Sequence, residues 1–145
     1  MYRWVLLTHI WSVFGFLFAH GGSVFAALQL RKERRPEPAR ALLRLSEISV
    51  NASIPFLLLL TASGIALGFM GSWWSHRWVW ASIAVFLLVS IVMGVLGGYR
   101  RVRGLDPATP EEFSRALDAL HPNLLLAVGV AGLVILVWLM YFKPF

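Results

Sequence analysis

The sequence predicts an all-α membrane protein, a single bundle of four transmembrane helices occupying residues 1–145. Two observations carry this prediction. The chain is 59% hydrophobic and only 14% charged, with a mean hydropathy of +0.73, against about 45–50% apolar residues in soluble domains. Its charges also leave four stretches free of Asp, Glu, Lys and Arg: Trp4–Leu30, Ile48–His76, Trp78–Tyr99 and Ala119–Phe142. A spanning helix needs about 20 apolar residues, and each stretch is long enough. The expected spans are about 4–30, 50–72, 78–99 and 120–142.

The first span opens on the interfacial residues Tyr2, Arg3 and Trp4. It is too long for a signal-peptide core, and no small-residue cleavage site follows it. Its stripe of Thr8, Gly15, Ala19, Gly22 and Ala26 predicts a close helix contact, because small residues let backbones approach in lipid. The connector RKERRPEPAR is charged and proline-containing, with a short helix expected from Pro38 to Glu47. The second span carries Gly64 and Gly68, and the third Gly94 and Gly98, two further small-residue pairs expected at helix contacts. Between these spans, Trp73, Trp74, Trp78 and Trp80 predict an interfacial aromatic belt. Thr109, Pro110 and Glu111 form a helix-start signature in the second connector. The fourth span ends at Tyr141.

The net charge of +6 reflects topology. Arg31, Lys32, Arg34, Arg35, Arg40 and Arg44 lie in the first connector, and Arg100, Arg101, Arg103 and Arg115 in the second. That is ten of the thirteen basic residues. Positive short loops mark the cytoplasmic side, so both termini are expected outside the cytoplasm, in a multi-pass protein of the cell (inner) membrane. Nothing resembles a basic groove interleaved with aromatics, so the expected contact is membrane lipid and not nucleic acid. With few residues outside the bilayer, a homo-oligomer or membership of a larger membrane complex is expected.

The candidate functional residues are histidines. His9 and His20 sit in one apolar run, eleven residues apart. At about 100° and 1.5 Å per residue they share a helix face, roughly 16 Å apart along the axis. Ionisable residues inside a span point to function. Depth pairs His9 with His76 near the outer surface and His20 with His121 towards the inner one. Imidazole is an axial ligand of haem iron, and a planar macrocycle fits between helices. The expected cofactor is therefore haem b, with His9, His20 and His121 as metal ligands and His76 a further cofactor-binding candidate. Ser12 and Ser23, one turn from His9 and His20, are candidates to hold the other ring nitrogens. Cysteine is absent, and no span holds an acidic residue, which leaves little for a zinc or copper site. There is no phosphate-binding glycine loop, nucleophile elbow or buried carboxylate pair.

The segment LLTHIWSVFGFLFAHGGSVF resembles the first helix of the HemJ-type protoporphyrinogen oxidases and the CopD membrane proteins, in which an early His precedes a small, aromatic-rich stretch. ASGIALGFMGSWWSHRWVWASIAVFLLV is similar to their second-to-third helix region, and LVILVWLMYFKPF to their closing helix with its terminal Lys143–Pro144. The resemblance covers most of the chain through loose motifs. It implies a four-helix haem-binding bundle in which His9 matches the first-helix haem histidine. HemJ-type enzymes also use a third-helix Lys, absent from RWVWASIAVFLLVSIVMGVLGG. The expected function is thus haem-based redox or electron transfer. A cofactor-free accessory subunit of a respiratory or photosynthetic complex, or copper or small-solute transport, are the alternatives.

Overall fold

The computed structural model describes residues 1–33, 35–96 and 121–145. Among the described residues every regular element is helical: α1 Tyr2–Leu30, α2 Pro36–Met70, a 3₁₀ turn Trp73–Ser75, α3 Arg77–Leu96 and α4 Pro122–Phe142. The fold is the all-α four-helix membrane bundle, with four helices long and apolar enough to cross a bilayer. The helix start expected at Thr109 and Pro110, and Gly98, lie outside the described residues.

One expectation is corrected. The connector helix and the second span are a single helix of 35 residues. Arg35 is extended at the N-cap, with Pro36 in the first turn, where a missing N–H costs nothing. The Arg35 amide and guanidinium both donate to Glu33, at 2.9–3.1 Å, and fasten the entry to α2. From Ala39 onward nothing breaks the helix. A break near Ile48 would leave orphan N–H and C=O groups at the membrane boundary. At 1.5 Å per residue α2 is roughly 52 Å long, so about 20 Å extends past a 30 Å hydrocarbon layer. Pro55, within α2, has no N–H to donate to the Asn51 carbonyl.

α1 and α2 pack antiparallel along their lengths, α3 packs on α4, and the main link between the pairs is α1 with α4. Small residues make the first contact possible. Phe56 occupies the space where a Gly15 Cβ would stand, and Ser49 does the same at Gly22. Ser23 Oγ and Ser46 Oγ are 3.0 Å apart. Each step forward in α1 is thus matched by a step back in α2, the register of a straight antiparallel pair. On the second pair, Val89 lies 2.5 Å from the Cβ position of buried Gly132. Among the described residues the buried ones are few and five of them are hydroxylic: Ser12, Ser46, Ser53, Ser63 and Ser82, with the apolar Ala26, Leu30, Ala39, Leu67, Trp78 and Leu139. Their hydroxyls donate largely to carbonyls of their own helix, as Ser12 does to Thr8 O at 2.7 Å. The large aromatics Trp11, Phe14 and Phe18 point outward instead. In hydrocarbon an exposed apolar wall is the favourable surface.

One end of the bundle is an aromatic plug. The chain leaves α2 through Gly71 and through Ser72, which is left-handed at φ 54°. Trp73 meets Tyr2 edge-on at 5.9 Å and Trp78 at 5.5 Å. The Lys143 ammonium sits 4.2 Å over the Trp73 ring. The Trp78 amide, an orphan donor at the start of α3, donates to Phe145 O at 3.3 Å. The start of α1, the α2–α3 turn and the end of α4 are thereby tied at one level.

Candidate functional site

His9 lies at the α1–α2 contact. The register that brings Gly15 against Phe56 carries the N-terminal third of α1 past Leu60, Ser63 and Gly64. His9 Nδ1 is 3.1 Å from Leu60 O and 3.0 Å from Ser63 Oγ. A carbonyl oxygen can only accept, so Nδ1 carries the proton. The Ser63 hydroxyl donates to Leu59 O at 2.6 Å and presents its lone pairs to the imidazole. In the neutral ring this leaves Nε2 unprotonated and basic. Nε2 has no hydrogen-bond partner among the described residues, and it is not among the sealed, unpartnered polar atoms there. The ring fits because position 64 is glycine: a Cβ there would stand 3.2 Å from His9 Cε1.

His20 shares the helix face of His9. Its ring stacks on Phe16, centroids 5.3 Å apart and planes within 7°. Its ring nitrogens have no hydrogen-bond partner among the described residues. The most exposed large apolar residues of α1, Phe18, Trp4, Trp11 and Phe14, point roughly 120–180° away from the two histidines at 100° per residue. Both imidazoles therefore occupy the half of α1 turned away from lipid.

The other two histidines lie at the ends of the bundle. His76 is exposed and follows the 3₁₀ turn, with Nδ1 3.4 Å from Ser75 Oγ. Tyr2 marks that level through Trp73, and His9 is seven residues deeper, roughly 10 Å along the helix. His121 is exposed at the N-cap of α4, and its carbonyl accepts from the Leu125 amide. The adjoining Pro122 and Asn123 lie beside the last two turns of α1, past the level of His20. The histidines thus stand at four different depths.

The holders expected for the imidazoles are corrected as well. Ser12 bonds Thr8 O, and Ser23 faces Ser46. The residues that hold His9 belong to α2. Sequence spacing within α1 pointed to its own serines because helix-internal neighbours are the ones that spacing reveals. The adjacent Ser63–Gly64 pair was the available signal: one small hydroxyl and one absent side chain, the minimum needed to seat an imidazole.

Among the described residues no three His, Asp or Glu side chains gather into a metal-binding cluster. A donor set of isolated imidazoles suits a macrocyclic metal, because a porphyrin supplies four of the ligands itself and asks one or two of the protein. His9 offers a polarised Nδ1–H, an Nε2 without a hydrogen-bond partner among the described residues, and Gly64 beside the ring. Compared with protein-family models, curated proteins and solved structures, the chain has no match.

Proposed function

We propose that this chain is a haem b-binding integral membrane protein that carries electrons, with His9 as the axial ligand. The observation that carries this reading is the His9 Nδ1–H held by Leu60 O and Ser63 Oγ. An acceptor on Nδ1–H fixes the tautomer and raises the basicity of the other ring nitrogen. An unpaired polar group in hydrocarbon costs several kcal/mol, so a free Nε2 at this depth is best satisfied by a ligand. Haem, when bound, supplies reversible one-electron exchange at its iron. The chain's own part is to orient His9 through α2, to admit the ring at Gly64 and to keep water away with apolar helix faces.

His20 is the second ligand candidate, stacked on Phe16 and without a partner for its nitrogens. His121 and His76, exposed at the two ends, rank after it. The resemblance to the HemJ-type enzymes, in which His9 matches the first-helix haem histidine, supports the same assignment. The protein sits in the cell (inner) membrane with both termini outside the cytoplasm. Exposed Arg31, Lys32, Arg35, Arg40 and Arg44 gather at one end of the bundle, and the tryptophan plug forms the other. The haem reading is tested by a pyridine haemochrome assay on protein purified from a haem-replete host. Haem b in fixed proportion to protein supports it, and its absence refutes it.

A further inference from the structure

The end of α1 and the start of α4 enclose a groove of about 630 Å³. Its floor is apolar, formed by Phe25 and Leu28, and its rim carries Arg31 and Lys32, with Pro122 and Asn123 on the opposite wall. The neighbouring ion pairs, Arg35 with Glu33 and Arg40 with Glu37, leave the Arg31 and Lys32 side chains unpaired among the described residues. Both are exposed, as is Phe25. They are the first charges after the uncharged run of α1, so they mark the level of the lipid headgroups. Phe25 lies six residues deeper, roughly 9 Å into the hydrocarbon.

From these features we infer that the groove binds one anionic glycerophospholipid. The phosphate sits between Arg31 and Lys32, and an acyl chain lies along Leu28 and Phe25. A headgroup alone leaves the apolar floor bare, and a zwitterionic lipid brings its own ammonium beside the phosphate, which offsets the attraction of Arg31 and Lys32; an anionic diacyl lipid meets both the floor and the two cations. Basic pockets between membrane helices select such headgroups by this combination. The site also has a structural consequence. α1 with α4 is the main link between the two helix pairs, so a lipid seated there bridges them.

Native mass spectrometry of the full chain in detergent, titrated with phosphatidylglycerol and separately with phosphatidylcholine, tests the site. Phosphatidylglycerol should form a one-to-one adduct and phosphatidylcholine should not. Replacing both cations (R31Q/K32Q) should weaken the adduct about tenfold, and the control pair R40Q/R44Q less than about twofold. Leu28→Trp, which fills the groove and keeps its charges, should also abolish the adduct. Equal weakening by the two charge pairs would reduce the effect to general surface charge and overturn the site. So would an unchanged adduct in Leu28→Trp. Displacement of the lipid by millimolar glycerol 3-phosphate would show a free-anion site instead. Haem content is expected to stay at the wild-type level in all these variants, so failure here is distinguishable from failure of the haem reading.

Discussion

His9 Nδ1 lies 3.1 Å from the main-chain oxygen of Leu60, and that contact puts the proton on Nδ1 and leaves Nε2 as the accepting nitrogen. The bond joins α1 to α2, so the orientation of the ring is a property of the helix pair. Ser63 shares the proton of Nδ1 at 3.0 Å.

Removing the Ser63 hydroxyl should loosen the ring without abolishing the site, because Leu60 O remains. Ser63→Ala is expected to lower haem affinity about tenfold or more, the usual effect of losing a hydrogen-bond partner of a ligating imidazole. The cost in stability should be only about 1 kcal/mol. Haem titration and thermal unfolding of the same sample separate the two. Unchanged haem affinity would mean that Ser63 does not orient His9.

Two glycines expected at helix contacts behave differently in the structure, and substitution should show it. A Cβ at Gly64 would press on His9 Cε1 at 3.2 Å, whereas one at Gly94 meets nothing within 4 Å among the described residues. Gly64→Ala should therefore shift the haem spectrum or reduce haem content, and Gly94→Ala should match the wild type. In an exposed helix position the latter exchange is neutral or slightly stabilising, since alanine is the better helix former by about 1 kcal/mol. Equal behaviour of the two variants would remove the argument for Gly64 as the seat of the ring.

Lys143 ends α4 in the left-handed region at φ 47° and stands 4.2 Å over Trp73. Lys143→Ala should lower thermal stability by roughly 0.5–1 kcal/mol, the size of a cation–π contact near the surface. Tryptophan emission should change with it. An unchanged emission spectrum would show that the ammonium does not rest on the ring.

Much of this architecture was legible in the sequence, and the reasons are physical. Uncharged runs of about 20 residues have few alternatives to spanning helices, and Gly15 and Gly22 announced the face on which α2 packs. The continuity of α2 was hidden by its charged, proline-bearing start, which reads as a solvated connector with a short helix of its own from Pro38 to Glu47. Pro36 and Pro38 sit where the first turn has no N–H to lose, so they start the helix instead of breaking it. His9 and His20 could be singled out because imidazoles in apolar runs are rare. Their partners could not, since Leu60 and Ser63 reach His9 only through an antiparallel register that no local pattern encodes. Depth arithmetic along one helix also put His76 near His9. The plug at Tyr2 and Trp73 sets His76 at the very end of the bundle, above the ring it was expected to meet.

Orientation follows from charge and is open to a direct check. An alkaline phosphatase fusion after Phe145 should be active, and a green fluorescent protein fusion at the same point dark, because the C-terminus is expected outside the cytoplasm. The opposite pair of results would invert the topology and place the tryptophan plug on the cytoplasmic side.

The most direct test of the haem reading is the reduced-minus-oxidised absorption spectrum of the purified protein beside that of His9→Ala, with size-exclusion profiles confirming that both remain folded. Wild type should show a Soret band and a sharp reduced α-band. His9→Ala should lose or shift at least one haem, and His76→Ala should leave the spectrum intact. A colourless wild type after expression with added haem, or a His9→Ala spectrum identical to the wild type, would contradict the assignment of His9 as a haem ligand.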